Sequence, residues 1–149
     1  MKKQFLSVGI LCILASFGFA AETVAQSAEF QKEQMLKQNR QIVKMASEGI
    51  SETLPQRVDD YTTLVRVEGK DTTLTYVFEI NTGAKSDEAV KEEGKERMKK
   101  IVTEGICRSS KRFLESKIDI TYLYVSAASK NELFRFNVSE SDCHYGQRR

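Results

Sequence analysis

Apolar positions recur along this chain with two different periods. Between Ser27 and Leu54, Met35, Ile42, Val43, Ala46 and Ile50 fall on one helical stripe, and Lys32, Lys37, Arg40, Lys44 and Glu48 take the other side. Ser27 is placed to cap this helix, and Glu29 suits its positive end. Pro55 stops it, because proline cannot donate and restricts Leu54 before it. Ala21 to Gln26 reads as a loose tail. From Tyr61 the period changes to two. Tyr61–Glu68 predicts a strand with Thr63, Val65 and Val67 on one face. Gly69-Lys70-Asp71 turns the chain, and Thr72–Ile80 returns with Leu74, Tyr76, Phe78 and Ile80 aligned.

Ser86 then caps a second helix, with Asp87 and Glu88 in its first turn. Val90, Gly94, Met98, Ile101 and Gly105 mark its predicted buried stripe, and Cys107 stands at its end. A short helix, Ser110–Ser116, buries Phe113 or Leu114. Lys117–Val125 and Glu132–Ser139 form the last two strands, with Ile118, Ile120, Tyr122 and Tyr124 on one face and Phe134, Phe136 and Val138 inward. The order α-β-β-α-α-β-β predicts an α+β fold, a long N-terminal helix followed by an antiparallel sheet of about four strands with helices on one face.

The first residues have a different character. Met1-Lys2-Lys3 is a positive start, Phe5–Phe17 is apolar, and Gly18-Phe19-Ala20 places small residues at a cleavage site, which reads as a signal peptide over residues 1–20. A second cleavage candidate follows Ala25. The apolar run is shorter than the ~20 residues of a membrane span, so no stable span is expected after cleavage. Cys12 follows bulky Leu11, unlike the cysteine of a lipoprotein signal. The expected product is exported, to the periplasm or the cell surface. It divides into the helix over 21–54 and an α+β domain over 55–149, the two forming one domain.

Composition narrows the function. The chain is 40% hydrophobic, too apolar for a disordered protein. Removing residues 1–20 takes away two bases and no acids, leaving 21 of each, so no basic stripe for nucleic acid is expected. Cys107 and Cys143 remain as an even pair, which in an exported chain reads as a disulfide. A metal site from Cys107, Cys143, His144 and Asp142 is the alternative, although zinc-type spacing is missing. A nucleophilic Cys143 beside His144 is opposed by the alternation of neighbouring side chains.

No phosphate loop, G-x-S-x-G, S-x-x-K or H-E-x-x-H occurs. Asp59-Asp60 could serve as acid and base, or cap a strand at a solvated turn. Asn137-Val138-Ser139 matches a glycosylation sequon, but it sits in a predicted strand behind a bacterial-looking leader. The alternating Tyr and Phe rows fit a sheet core better than a base-stacking platform. No catalytic residue, cofactor or metal is therefore assigned. The long first helix, about 42 Å over Ser27–Leu54, exceeds an eight-residue strand of about 27 Å. Phe30, Met35 and Leu36, in the part that would overhang the sheet, are the expected partner-binding residues; the alternative is a helix that bends at Gly49 and packs throughout, or one frayed at its start.

The layout from Leu54 onward resembles the small periplasmic pilotin-type proteins of bacterial secretion systems. A helix ends in Leu54-Pro55, and Tyr61-Thr62-Thr63-Leu64-Val65 opens the first hairpin. A helix ends at Cys107, a short helix and paired strands come after it, and Asp142-Cys143 closes the layout. Such pilotins are usually lipoproteins, and this leader has no lipobox. The size and leader also look like the roughly 17-kDa antigens encoded among VirB-type type IV secretion components, against 16.9 kDa here. Both resemblances imply a non-enzymatic envelope protein, an accessory or assembly component whose partners are protein subunits of a secretion apparatus. A small exported enzyme or metal-binding protein is the alternative.

Overall fold

The computed structural model describes residues 19–144, with side chains from Ser27 onward. Of the expected signal peptide over residues 1–20, all but the last two positions lie outside the described residues, as does Cys12. Two units are distinguished, residues 1–34 and residues 35–149. In the first, the chain is helical from Phe19, and Ser27–Gln34 are exposed. The helix α1 spans Phe19–Ser51, so Ser27 lies inside it rather than at its cap. Ala21–Gln26 contains no helix breaker, and alanine and glutamine favour the helix. The second unit holds the rest of α1, the sheet and the remaining helices.

Five strands form one sheet in the order β1-β2-β3-β4-β5. They are β1 (Gln56–Arg57), β2 (Thr62–Lys70), β3 (Thr73–Ile80), β4 (Asp119–Ser126) and β5 (Glu132–Val138). Two helices, α2 (Asp87–Ser109) and α3 (Lys111–Glu115), connect β3 to β4, and a 3-10 turn over Glu140–Asp142 comes after β5. The α+β class and both hairpins match expectation. The sheet differs in two respects. The two-residue β1 adds a fifth strand, too short to leave a period in the sequence. The sheet is also mixed, because β3 and β4 run parallel from Thr73↔Asp119 to Ile80↔Ser126. Each hairpin is antiparallel within itself, but a helical crossover between them returns the chain in the same direction.

Two details of facing also differ from expectation. A bulge between Leu64 and Arg66 shifts the β2 register. It places Leu64 and Val67 in the core while Val65 is only half-buried. In α2 the inward stripe is Val90, Met98, Val102 and Ile106, at fourfold spacing, with Gly94 in line. Ile101 is 61% exposed, and nothing lies within 4 Å of a side chain built at Gly105.

The core occupies one face of the sheet. Leu74, Ile120 and Val138 sit side by side across β3, β4 and β5 and are closed to solvent. Residues 35–51 of α1 lie over the β2 end of this face. Asn39, buried, donates from Nδ2 to the Ser116 carbonyl at 2.6 Å. Gly69 permits the contact, since a Cβ there would stand 2.8 Å from Val43 and Ser47 atoms. Helix α2 lies over β5, where a Cβ at Gly94 would meet the Phe134 ring at 3.1 Å. Leu114 of α3 is fully buried.

A tyrosine-floored groove as the candidate binding site

Six rings run across the helix-covered face. Tyr76, Phe78, Tyr122, Tyr124, Phe134 and Phe136 alternate along β3, β4 and β5, and strand register stacks them into contact. Phe78 and Tyr124 stack at 5.0 Å, Phe78 meets Tyr122 at 4.8 Å, and Tyr76 meets Tyr122 at 5.3 Å. Helix α2 covers the Phe134 end of this row. Further along, the floor opens into a groove of about 440 Å³ bounded by Arg97, Met98, Ile101 and Val102 of α2 and by Val58, Asp59 and Thr62 ahead of β2. A second depression of about 430 Å³ shares Arg97 and Met98 and adds Val90, Ile80 and Phe134. The two together run along α2 from Val90 to Val102.

The floor is apolar but carries three phenols. Among the described residues, the Tyr76, Tyr122 and Tyr124 hydroxyls have no protein hydrogen-bond partner, and no buried side-chain polar atom lacks one. The hydroxyls are therefore open to the groove. Burial pushes the pKa of all three upward, and the Asp59 charge adds to this at Tyr124. They remain neutral donors and acceptors at physiological pH. The rim exposes Val58, Tyr61 and Ile101, all more than half accessible. An apolar floor with a few convergent polar groups suits an apolar segment whose own polar groups need partners.

The rim opposite α2 is fixed by Asp59. Its carboxylate accepts from the Tyr61 and Thr62 backbone N–H groups, both at 2.8 Å. These bonds hold its pKa below the ordinary value. Asp60 instead pairs with Arg57 at 2.7 Å. The two acids thus have separate structural partners, and no shared proton position joins them.

Cys107 and Cys143 form a disulfide with a Cα separation of 5.5 Å. Asp142 accepts from the Ser139 N–H and Oγ at 2.8 Å. His144 lines a depression there with Glu104 and Arg108. Among the described residues no cluster of three His, Cys, Asp or Glu side chains could hold a metal. Asn137 is exposed on β5 and accepts from Thr121 Oγ1 at 3.0 Å. On α1, Phe30 and Met35 are 62% and 40% exposed, and Leu36 is half-buried. The alternating pattern does not announce the groove; its signal in the sequence is the hydroxyl on three of the six aromatics of this row.

Acid should loosen this framework. Asp59, Asp87, Asp142 and Glu132 have lowered pKa values, from hydrogen bonds to Tyr61, Ser129, Ser139 and Arg135 respectively. A depressed carboxylate contributes stability that is complete above its unfolded pKa, about 4, and is lost as pH falls through the folded value. Asp119, raised by burial and by Asp142, acts with the opposite sign. With four groups against one, denaturant midpoints should hold steady from pH 7 to about 5 and fall below about 4. A midpoint that rises on acidification would contradict these assignments.

Comparison with solved structures identifies the fold. A candidate secreted protein of Pseudomonas aeruginosa aligns with a TM-score of 0.65 and 8% identity, over 74% of this chain and 96% of that one. The pilotin EpsS of the Vibrio vulnificus type 2 secretion system gives 0.60 and 12%, over 76% and 99%. The type II secretion pilotin AspS of Vibrio cholerae gives 0.58 and 15%, over 75% and 98%. The resemblance to pilotins from Leu54 onward thus extends to the three-dimensional fold. No curated protein matches the chain. No helix among the described residues is long and apolar enough to cross a membrane. Residues 37–134 match the family described as Domain of unknown function (DUF8479), and the chain belongs to that family.

Proposed function

We propose that this protein is a non-enzymatic, exported accessory component of a secretion apparatus, and that it binds a segment of a partner subunit in the groove beside α2. The groove carries this reading. It offers an aromatic floor, three phenol hydroxyls open to it and an apolar rim, features that suit binding of an apolar segment. The two pilotins that share the fold belong to type II secretion, which supports that class of machine over the VirB-type alternative. Phe30 of the first unit and, separately, Met35 and Leu36 of the second remain further candidates, because Phe30 and Met35 are exposed.

A photocrosslinking residue placed at Ile101 tests the proposal in cells. It should capture subunits of a secretion apparatus, whereas the same residue at Glu68, on the far face of the sheet, should not. Ile101→Glu should lower partner affinity at least tenfold, the order expected when an interface anchor is replaced by a charge, with the melting temperature unchanged. Equal capture from both positions, or capture only from Phe30 or Met35, would move the interface elsewhere.

A further inference from the structure

Helix α2 is fastened to the β4–β5 hairpin at three places. Its last turns are tied by Cys107 to Cys143. Its middle rests on Phe134 at Gly94. At its first turn, the Asp87 carboxylate accepts from Ser129 Oγ at 2.6 Å and from Asn131 Nδ2 at 3.2 Å. Those two donors belong to the turn between β4 and β5. The turn is itself held in place, because Lys130 pairs with Glu79 of β3 at 2.8 Å and the Ser129 N–H reaches Ser126 Oγ at 3.3 Å. Ser126 is buried at the end of β4.

The residues that wall the groove, Arg97 to Val102, lie between the first of these fasteners and the last. Without the clasp, only the apolar contact at Gly94 would hold the near half of α2 on the sheet, and the helix could tilt about the disulfide and change the groove's width. We infer that Asp87 is a positioning residue for the groove: by clasping Ser129 and Asn131 it fixes the near end of α2, so that the site is preformed rather than shaped by its occupant. The inference rests on the groove being the binding site, and it adds how that site is held. Preformation matters for binding because a wall ordered in advance removes an ordering cost from association.

Asp87 also sits in the first helical turn, where a negative charge is favourable without any clasp. The test must separate these roles. Asp87→Ala removes both, and Ser129→Ala removes the shorter clasp bond while leaving the charge. Hydrogen exchange on the full chain should quicken about tenfold over residues 87–98 in both variants, the order expected for one lost hydrogen bond. Residues near Cys107 should stay protected. The dye anilinonaphthalene sulfonate, which probes apolar grooves, should bind several-fold more weakly to both. Ile101→Glu should weaken the dye without altering exchange.

Faster exchange in Asp87→Ala alone would reduce Asp87 to a helix-end charge and overturn the inference. So would unchanged exchange in both variants, or faster exchange with undiminished dye binding. The exchange measurement needs no partner, so it judges the clasp separately. Undiminished dye binding in Ile101→Glu would instead count against the groove as the binding site.

Discussion

Reducing the Cys107–Cys143 bond is expected to lower the melting temperature by about 15 °C. The two residues are 36 positions apart, and closing a loop of that length is worth about 4 kcal/mol in the chain-entropy account. For a domain of this size the entropy of unfolding converts that into about 15 °C. Single domains have only about 5–15 kcal/mol in total, so the bond is a large share. Both cysteines are half-buried, which leaves the bond within reach of small reductants. Thermal melts of the wild type with and without reductant, beside a Cys107→Ser, Cys143→Ser double variant, measure the effect. Coincident melts for all three samples would show that packing around α2 suffices without the bond.

The second large effect is expected at Leu74. Its side chain is closed to solvent, between Gly69 on β2 and Ile120 on β4. Leu74→Ala should cost about 3 kcal/mol, the sum of lost transfer energy and an unfilled cavity. Ile101→Ala, a truncation of similar size at an exposed position, should stay within about 0.5 kcal/mol. Urea unfolding of both variants reads the difference directly. Equal losses would mean that Ile101 is packed and the groove rim closed.

The hairpins were legible because each strand alternates over most of its length and is separated from the next by a turn signal. Gly69-Lys70-Asp71 is the clearest, and Asp71 adopts the left-handed conformation there. The Ser86 cap was legible for the same local reason, and its side chain does accept from the Ala89 N–H. What was missed depends on partners distant in sequence. The parallel β3–β4 pairing has no local signature, since the same apolar face serves either direction. The bulge at Val65 moved Leu64 inward, and alternation alone cannot announce a bulge. In α2, Ile101 and Val102 are adjacent aliphatics, and that Val102 is the buried one is decided by how the helix sits on the sheet.

The candidate site was less legible than the fold. Tyr76, Tyr122 and Tyr124 were visible as a row, but whether a helix covers them depends on where α2 is anchored. The anchors are Asp87, Gly94 and Cys107. The sequence marked each of them, as a first-turn acid, a helical glycine and a paired cysteine. Their joint consequence, an uncovered stretch of floor, exists only in three dimensions.

The parallel seam also bears on how the chain assembles. Every β3–β4 pair joins residues 46 positions apart, from Thr73 with Asp119 to Ile80 with Ser126. A chain that emerges with its N-terminus first can close the β2–β3 hairpin at once. The outer edge of β3 must then stay bare while the whole of α2 and α3 passes. Contacts of such long separation slow folding, and an unpaired apolar edge invites pairing with other chains. Early events should therefore order the two hairpins independently. The docking of β4 against β3 would complete the molecule last, and the aromatic floor, built from both strands, could not exist before that moment.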